Sequence, residues 1–101
     1  MGKGQYLRIK IYALCHIACE SCISVCIRDR LERCLALCRE CSEVCSMGIR
    51  FEAQGAITAP FMNELIKMIC SYCADECDKY PRIRELKDCA DACRILLHKK
   101  N

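Results

Sequence analysis

The amino-acid sequence predicts an all-α protein: an antiparallel up-down-up-down four-helix bundle with a cysteine-lined core. Three observations predict it. Thirteen of the 101 residues are cysteine, and they recur at steps of three and four. The breakers divide the chain at three places, around Arg28-Asp29-Arg30, between Gly55 and Pro60, and at Pro81. The length suits one domain, here taken as 1–101, and 53% apolar with 29% charged residues is enough for a packed core rather than a disordered chain.

The cysteines fall in four groups. Cys15, Cys19, Cys22 and Cys26 form the first, and Cys34, Cys38, Cys41 and Cys45 repeat its 4-3-4 spacing. Cys70, Cys73 and Cys77 keep a 3-4 remainder, with Ile66 where a fourth cysteine would stand; Cys89 and Cys93 keep one step of four, with Leu86 and Leu96 continuing the row. Steps of three and four place side chains on one face of a helix. On a strand the same steps would scatter them over both faces.

Each helix then follows from its boundaries. The first is expected over 6–27, ending at the Arg28-Asp29-Arg30 turn, where Asp29 offers an N-cap for the second. The second is expected over 31–54, before Gly55. Thr58 or Ala59 precedes a third helix, 60–80, with Pro60 in its first turn. Pro81 opens the fourth, 82–98. Short connections between helices of this length favour antiparallel neighbours, which sends all four cysteine faces to one axis. Leu7, Ile11, Leu31, Leu35, Leu37, Val44, Ile69, Leu86 and Leu97 supply flanking apolar contacts.

Several classes of function are disfavoured. The net charge of +3 and the few aromatics give no basic, ring-interleaved patch, so no nucleic acid partner is expected. No apolar run reaches the roughly 20 residues of a membrane span. The apolar stretch from Ile9 to Cys19 holds Lys10, Cys15 and His16 and does not have the form of a signal peptide. The odd cysteine count and the scarcity of loops argue against a secreted disulfide scaffold, so a cytoplasmic chain with reduced thiols is expected. No nucleophile with an orienting base and no phosphate-binding loop is present, and no enzyme is expected. Lys99 and Lys100, with Arg82, Arg84 and Arg94 among Glu85, Asp88 and Asp91, read as a solvated face of mixed sign.

Thirteen cysteines are too many for packing. Cysteine buries less apolar area than leucine and can be oxidised, so stability alone would select leucine. As ligands they make sense, because soft thiolates select Cu(I), zinc or iron–sulfur clusters. Zinc takes closed four-ligand sets, and one iron–sulfur cluster would leave nine cysteines without a purpose. Cu(I) accepts two or three sulfurs, and a sulfur can bridge two metals. If each metal takes two sulfurs and each sulfur two metals, the counts match, on the order of one Cu(I) per cysteine with charges cancelling inside the bundle. A thiol redox buffer using the CxxC motifs, and a zinc or iron–sulfur module, stand as alternatives.

The repeated CxxxCxxCxxxC of Cys15–Cys26 and Cys34–Cys45, the CxxCxxxC of Cys70–Cys77 and the CxxxC of Cys89–Cys93 resemble the cysteine-rich four-helix-bundle copper storage proteins, the Csp family, in its short cytosolic type. The resemblance spans the whole chain. It implies a bundle filled with Cu(I), a homo-oligomer that is often a tetramer, and a role in copper storage or detoxification.

Other soft donors are few. His16, Met47, Met62 and His98 are expected near one end of an up-down bundle, where imidazole and thioether would suit an entry mouth. Phe61, Leu65, Met68 and Tyr72 form a second 4-3-4 row off the cysteine seam, with Leu14 and Ile17 similarly placed on the first helix; exposed apolar rows mark a contact surface, so self-association is expected.

Overall fold

In a computed structural model the protein is described over residues 1–98; Lys99 and Lys100 lie outside the described residues. Four helices make up the fold: α1 (Lys3–Arg28), α2 (Glu32–Gln54), α3 (Ala59–Cys77) and α4 (Arg84–His98). α1 packs on α2 and α4, and α3 packs on α2 and α4, so consecutive helices are neighbours round a square and α1 faces α3 across the diagonal. The bundle is slender, 40 × 19 × 18 Å, the section of four helices around one seam.

The helix ends follow local chemistry, with differences from what the sequence suggests. α1 begins three residues earlier, at Lys3, because the Gln5 side chain accepts the Gly2 N–H and satisfies the first orphan donor. Asp29 caps the C-terminus of α1 instead of starting α2; its backbone N–H reaches the Val25 carbonyl, and its side chain pairs with Arg28. Arg30 then takes a left-handed φ of 58° to turn the chain, and Leu31 stands at the start of α2. At the far end of α2, Gly55 adopts φ 63°, the left-handed closure that glycine reaches without strain.

Thr58 and Pro60 open α3 as expected. α3 ends at Cys77 rather than at residue 80, and α4 starts at Arg84 rather than 82. The cause is Pro81. It donates no N–H and disfavours helical geometry at Tyr80, so the chain passes through tight turns, Tyr80 N–H to the Cys77 carbonyl and Ile83 N–H to the Tyr80 carbonyl.

The core is the cysteine stripe. All thirteen cysteines are buried, together with Tyr12, Ile66, Ala74, Leu86, Ala90 and Leu96. Ile11, Leu31, Leu35, Leu37, Val44, Ile69 and Leu97 pack against this column from the flanks. Leu7 does not; it is half exposed, because its place on α1 turns it away from the seam. Against the expectation from the sequence, α1 by itself is long and apolar enough to cross a membrane by length and composition; in the bundle its thiol face is buried against the other helices.

Candidate metal centre

Each thiol is aimed inward by its helix register, and antiparallel packing brings registers from all four helices to the same level. Cys15 Sγ lies 3.7 Å from the sulfurs of Cys41, Cys70 and Cys93, one from each other helix. Cys19 Sγ lies 3.6 Å from Cys89, which is 3.9 Å from Cys73. Cys38 is 3.9 Å from Cys73, and Cys34 is 3.8 Å from Cys77. None of these pairs is a disulfide; all thirteen thiols are free.

Grouped by mutual sulfur distances within 4.8 Å, the thiols form five sets: Cys15, Cys41, Cys45 and Cys70; Cys15, Cys19, Cys41 and Cys93; Cys19, Cys73, Cys89 and Cys93; Cys38, Cys73, Cys77 and Cys89; and Cys26, Cys34 and Cys38. Neighbouring sets share one or two sulfurs, so the sets form one continuous chain along the axis. Twelve cysteines belong to it. Cys22 stands beside the chain and donates its S–H to the Glu85 carbonyl at 3.1 Å.

The site is closed to bulk solvent, every thiol being buried. The sulfurs hydrogen-bond mainly to one another, so losing a proton at one thiol is governed by its neighbours. Hydrogen bonds from Cys19 and Cys38 favour proton loss at Cys73 and lower its pKa, whereas burial is the main cause that pushes Cys26 up. A cation entering this column meets donors that become anionic as it arrives, so charge is neutralised within the buried core.

One end of the column is stoppered. Tyr12, three residues before Cys15, Ile66, four before Cys70, and Leu96, three after Cys93, continue the cysteine register and close over the last sulfurs. Gly48 makes room for them: a Cβ there would sit 2.5 Å from Ile66 Cδ1 and 3.1 Å from the Tyr12 ring. The Tyr12 hydroxyl donates to Asn63 Oδ1, and burial raises its pKa above the usual phenol range. Tyr12, Gly48 and Asn63 were legible only as members of the cysteine register one or two steps beyond the last thiol.

The remaining soft donors do not join the column. His16 is held at the α1–α2 contact, with Nδ1 3.0 Å from the Ser42 carbonyl oxygen and 2.9 Å from Ser42 Oγ, which in turn donates to Glu20. Met62 packs on the flank of the core, while Met47 and His98 are exposed. Among the described residues neither histidine belongs to a cluster of ligand atoms. Ser42, Glu20 and His16 are not a hydrolytic triad, since the carboxylate holds the serine and not the imidazole, and Ser42 is buried.

The fold and the thiol column define a helical bundle built around a reservoir of soft donors. A profile of the copper storage protein (Csp) family matches residues 4–99. The chain belongs to the copper storage protein family. It is 29% identical over 95 residues, 81% of this chain and 85% of the relative, to the uncharacterized cysteine-rich protein YhjQ of Bacillus subtilis (strain 168). Among solved structures it is similar to the Cu(I)-bound copper storage protein BsCsp3, with a TM-score of 0.86, 25% identity, and coverage of 91% of this chain and 90% of that one.

Proposed function

We propose that this protein binds and stores multiple Cu(I) ions, on the order of one per cysteine, through the thiolates of Cys15, Cys19, Cys22, Cys26, Cys34, Cys38, Cys41, Cys45, Cys70, Cys73, Cys77, Cys89 and Cys93. The observation that carries the reading is the sharing of sulfurs between successive sets. A shared sulfur suits a monovalent ion that takes two or three thiolates and tolerates bridging. Zinc prefers closed tetrahedral sets. Two disjoint four-sulfur sets can be drawn here, Cys15/Cys41/Cys45/Cys70 and Cys38/Cys73/Cys77/Cys89, but they leave five cysteines unused. A redox role needs a thiol that another protein can reach, whereas these are at most 1% exposed.

The stored ion is cargo, kept from redox cycling by exclusion of water, and no catalytic step is assigned. The setting is cytoplasmic, where the thiols stay reduced. Self-association, in a tetramer by analogy with the family, would use the outward rows Phe61, Leu65, Met68, Tyr72 and Leu14, Ile17, which are exposed in the single chain, Phe61 to 76%. Light scattering at micromolar concentration tests this, and a monomer removes it. For the storage reading, anaerobic Cu(I) titration against a competing chelator should reach about a dozen ions per chain; saturation at two or three would support the zinc-like alternative.

A further inference from the structure

The thiol column does not sit midway along the bundle. At one end it stops far short of the helix ends: α2 runs on from Cys45 to Gln54, about 14 Å of helix, and α3 begins at Ala59, well before Cys70. Side chains borne on helices fill that stretch, first Tyr12, Ile66 and Leu96, then Asn63 and the Arg8–Glu52 ion pair. At the other end the column reaches the helix termini. Cys34 stands in the first turn of α2, about 3 Å from its start, Cys77 is the last residue of α3, and Cys26 is in the last turn of α1. Cys34 and Cys77 are also the only cysteines above 0% exposure, at 1% each, and their sulfurs are 3.8 Å apart.

What covers this second end is not helix. Leu31, Tyr80 and Ile83 pack over the core from the two connections, 29–31 and 78–83. In the first, Arg30 holds a left-handed φ of 58° although it carries a Cβ; the second is a run of tight turns. Turns of this kind open at a lower free energy than the helices that flank them. One contact fastens the two covers. Glu76 is buried, and its Oε1 takes Arg33 Nε at 3.2 Å and Lys79 Nζ at 2.9 Å. Glu76 precedes Cys77 and Arg33 precedes Cys34, so these ion pairs tie together the two chain segments that carry the outermost thiols.

We propose that this end is the port through which Cu(I) enters and leaves, with Cys34 and Cys77 as its first protein ligands and Glu76 as the clasp that keeps it shut. The proposal rests on the storage reading. The ion arrives on a carrier thiolate. Cys34 loses its proton and forms a Cu–S bond, the bond to the carrier breaks, and the freed carrier sulfur takes up a proton; no electron is transferred. Cys38 receives the ion next, because it belongs both to the set of Cys26 and Cys34 and to the set of Cys77. From there Cys73 and Cys89 are shared with the set of Cys19 and Cys93, which leads inward.

The first test uses the metal-free full chain. Substoichiometric N-ethylmaleimide, followed by peptide mass spectrometry, should label Cys34 and Cys77 about tenfold more than Cys15, Cys45, Cys70 or Cys93, since only the port end opens without disturbing a helix. The second follows Cu(I) uptake from Cu(I)–glutathione and release to a bicinchoninate chelator. Cys34 and Cys45 each belong to one set, so Cys34→Ser and Cys45→Ser should each lower capacity by about one ion. Only Cys34→Ser should also slow uptake and release, by about tenfold. Glu76→Gln, which keeps the side chain's shape and removes its charge, should speed both about threefold without changing capacity, the weight of one partly exposed ion pair. Uniform labelling, or preferential labelling of Cys15, Cys45 or Cys70 at the end shared by His16 and Met62, would overturn the proposal. So would equal kinetics for the two serine variants, and Glu76→Gln kinetics identical to wild type would remove the clasp. Failure of wild-type protein to take up many Cu(I) would overturn the storage reading instead, and the labelling arm, run without copper, separates the two.

Discussion

The Cys15 sulfur stands 3.7 Å from the Cys93 sulfur across 78 residues of sequence, each the inward member of a helix that meets the other only in the closed bundle. Cys15 also touches Cys41 and Cys70 at the same distance, so a single sulfur connects all four helices. Metal bound there would tie together the two ends of the chain.

Capacity should therefore depend on where a thiol is lost. Cys15 belongs to two of the overlapping sets and Cys26 to one. Cys15→Ser should remove about two Cu(I) from the titrated total and Cys26→Ser about one, because a bridging sulfur serves two metals. Equal losses at both positions would speak for independent sites.

Adding a thiol in register should do the reverse. Ile66 is fully buried one helical step before Cys70, where a further cysteine would extend the column. Ile66→Cys should raise capacity by about one Cu(I), while the metal-free protein loses about 1–2 kcal/mol from the volume removed. The two readouts, titration and urea unfolding, move in opposite directions only if the register argument holds.

The stopper should be sensitive to a single methyl group. Gly48→Ala places a Cβ 2.5 Å from Ile66 Cδ1, inside contact distance, with the Tyr12 ring close behind. Overpacking costs about 1–3 kcal/mol and outweighs the helix propensity that alanine gains over glycine, about 1 kcal/mol. A lowered urea midpoint with unchanged slope is the expected result.

The metal-free bundle should fold without copper, since the flanking apolar residues pack whether or not the sulfurs are ligated. Circular dichroism should show a helical apo protein, and Cu(I) should raise its Tm because only the folded state presents the converged thiolates. The apo protein should also weaken in base. Tyr12 and Cys26 both have pKa values raised in the folded state, so the unfolded chain releases these protons first. Cys73, shifted the other way, adds stability only up to the ordinary thiol range, so above about pH 9 the raised groups decide and stability falls as pH rises. Urea midpoints in reducing buffer between about pH 9 and about pH 10.5 should show this decline; a flat profile would contradict it.

Much of the site was readable along the chain because a helix converts steps of three and four into one face, whatever that face later meets. The 4-3-4 rows of Cys15–Cys26 and Cys34–Cys45 required helices, a common seam and, with reduced thiols, a soft-metal reading. The start of α1, the role of Asp29 and the two termini around Pro81 were not readable, since Asp29 serves either neighbouring helix by local rules, and Pro81 can open a helix or hold the chain in turns before one. The rows of Phe61–Tyr72 and of Leu14 and Ile17 were legible as off the seam for the same reason that the cysteines were legible as on it.

Residue order alone determined which side chains share a helix face, and hence that thirteen thiols would line one interior. Only the packed bundle decided how those faces interlock: which sulfurs are shared between sets, that Cys22 turns to the Glu85 carbonyl, and that Tyr12, Gly48 and Ile66 close one end against Asn63. The physical reason is range. Helical periodicity is a property of a few consecutive residues, whereas the level at which one helix meets another depends on turn geometry and on close packing between residues far apart in the chain.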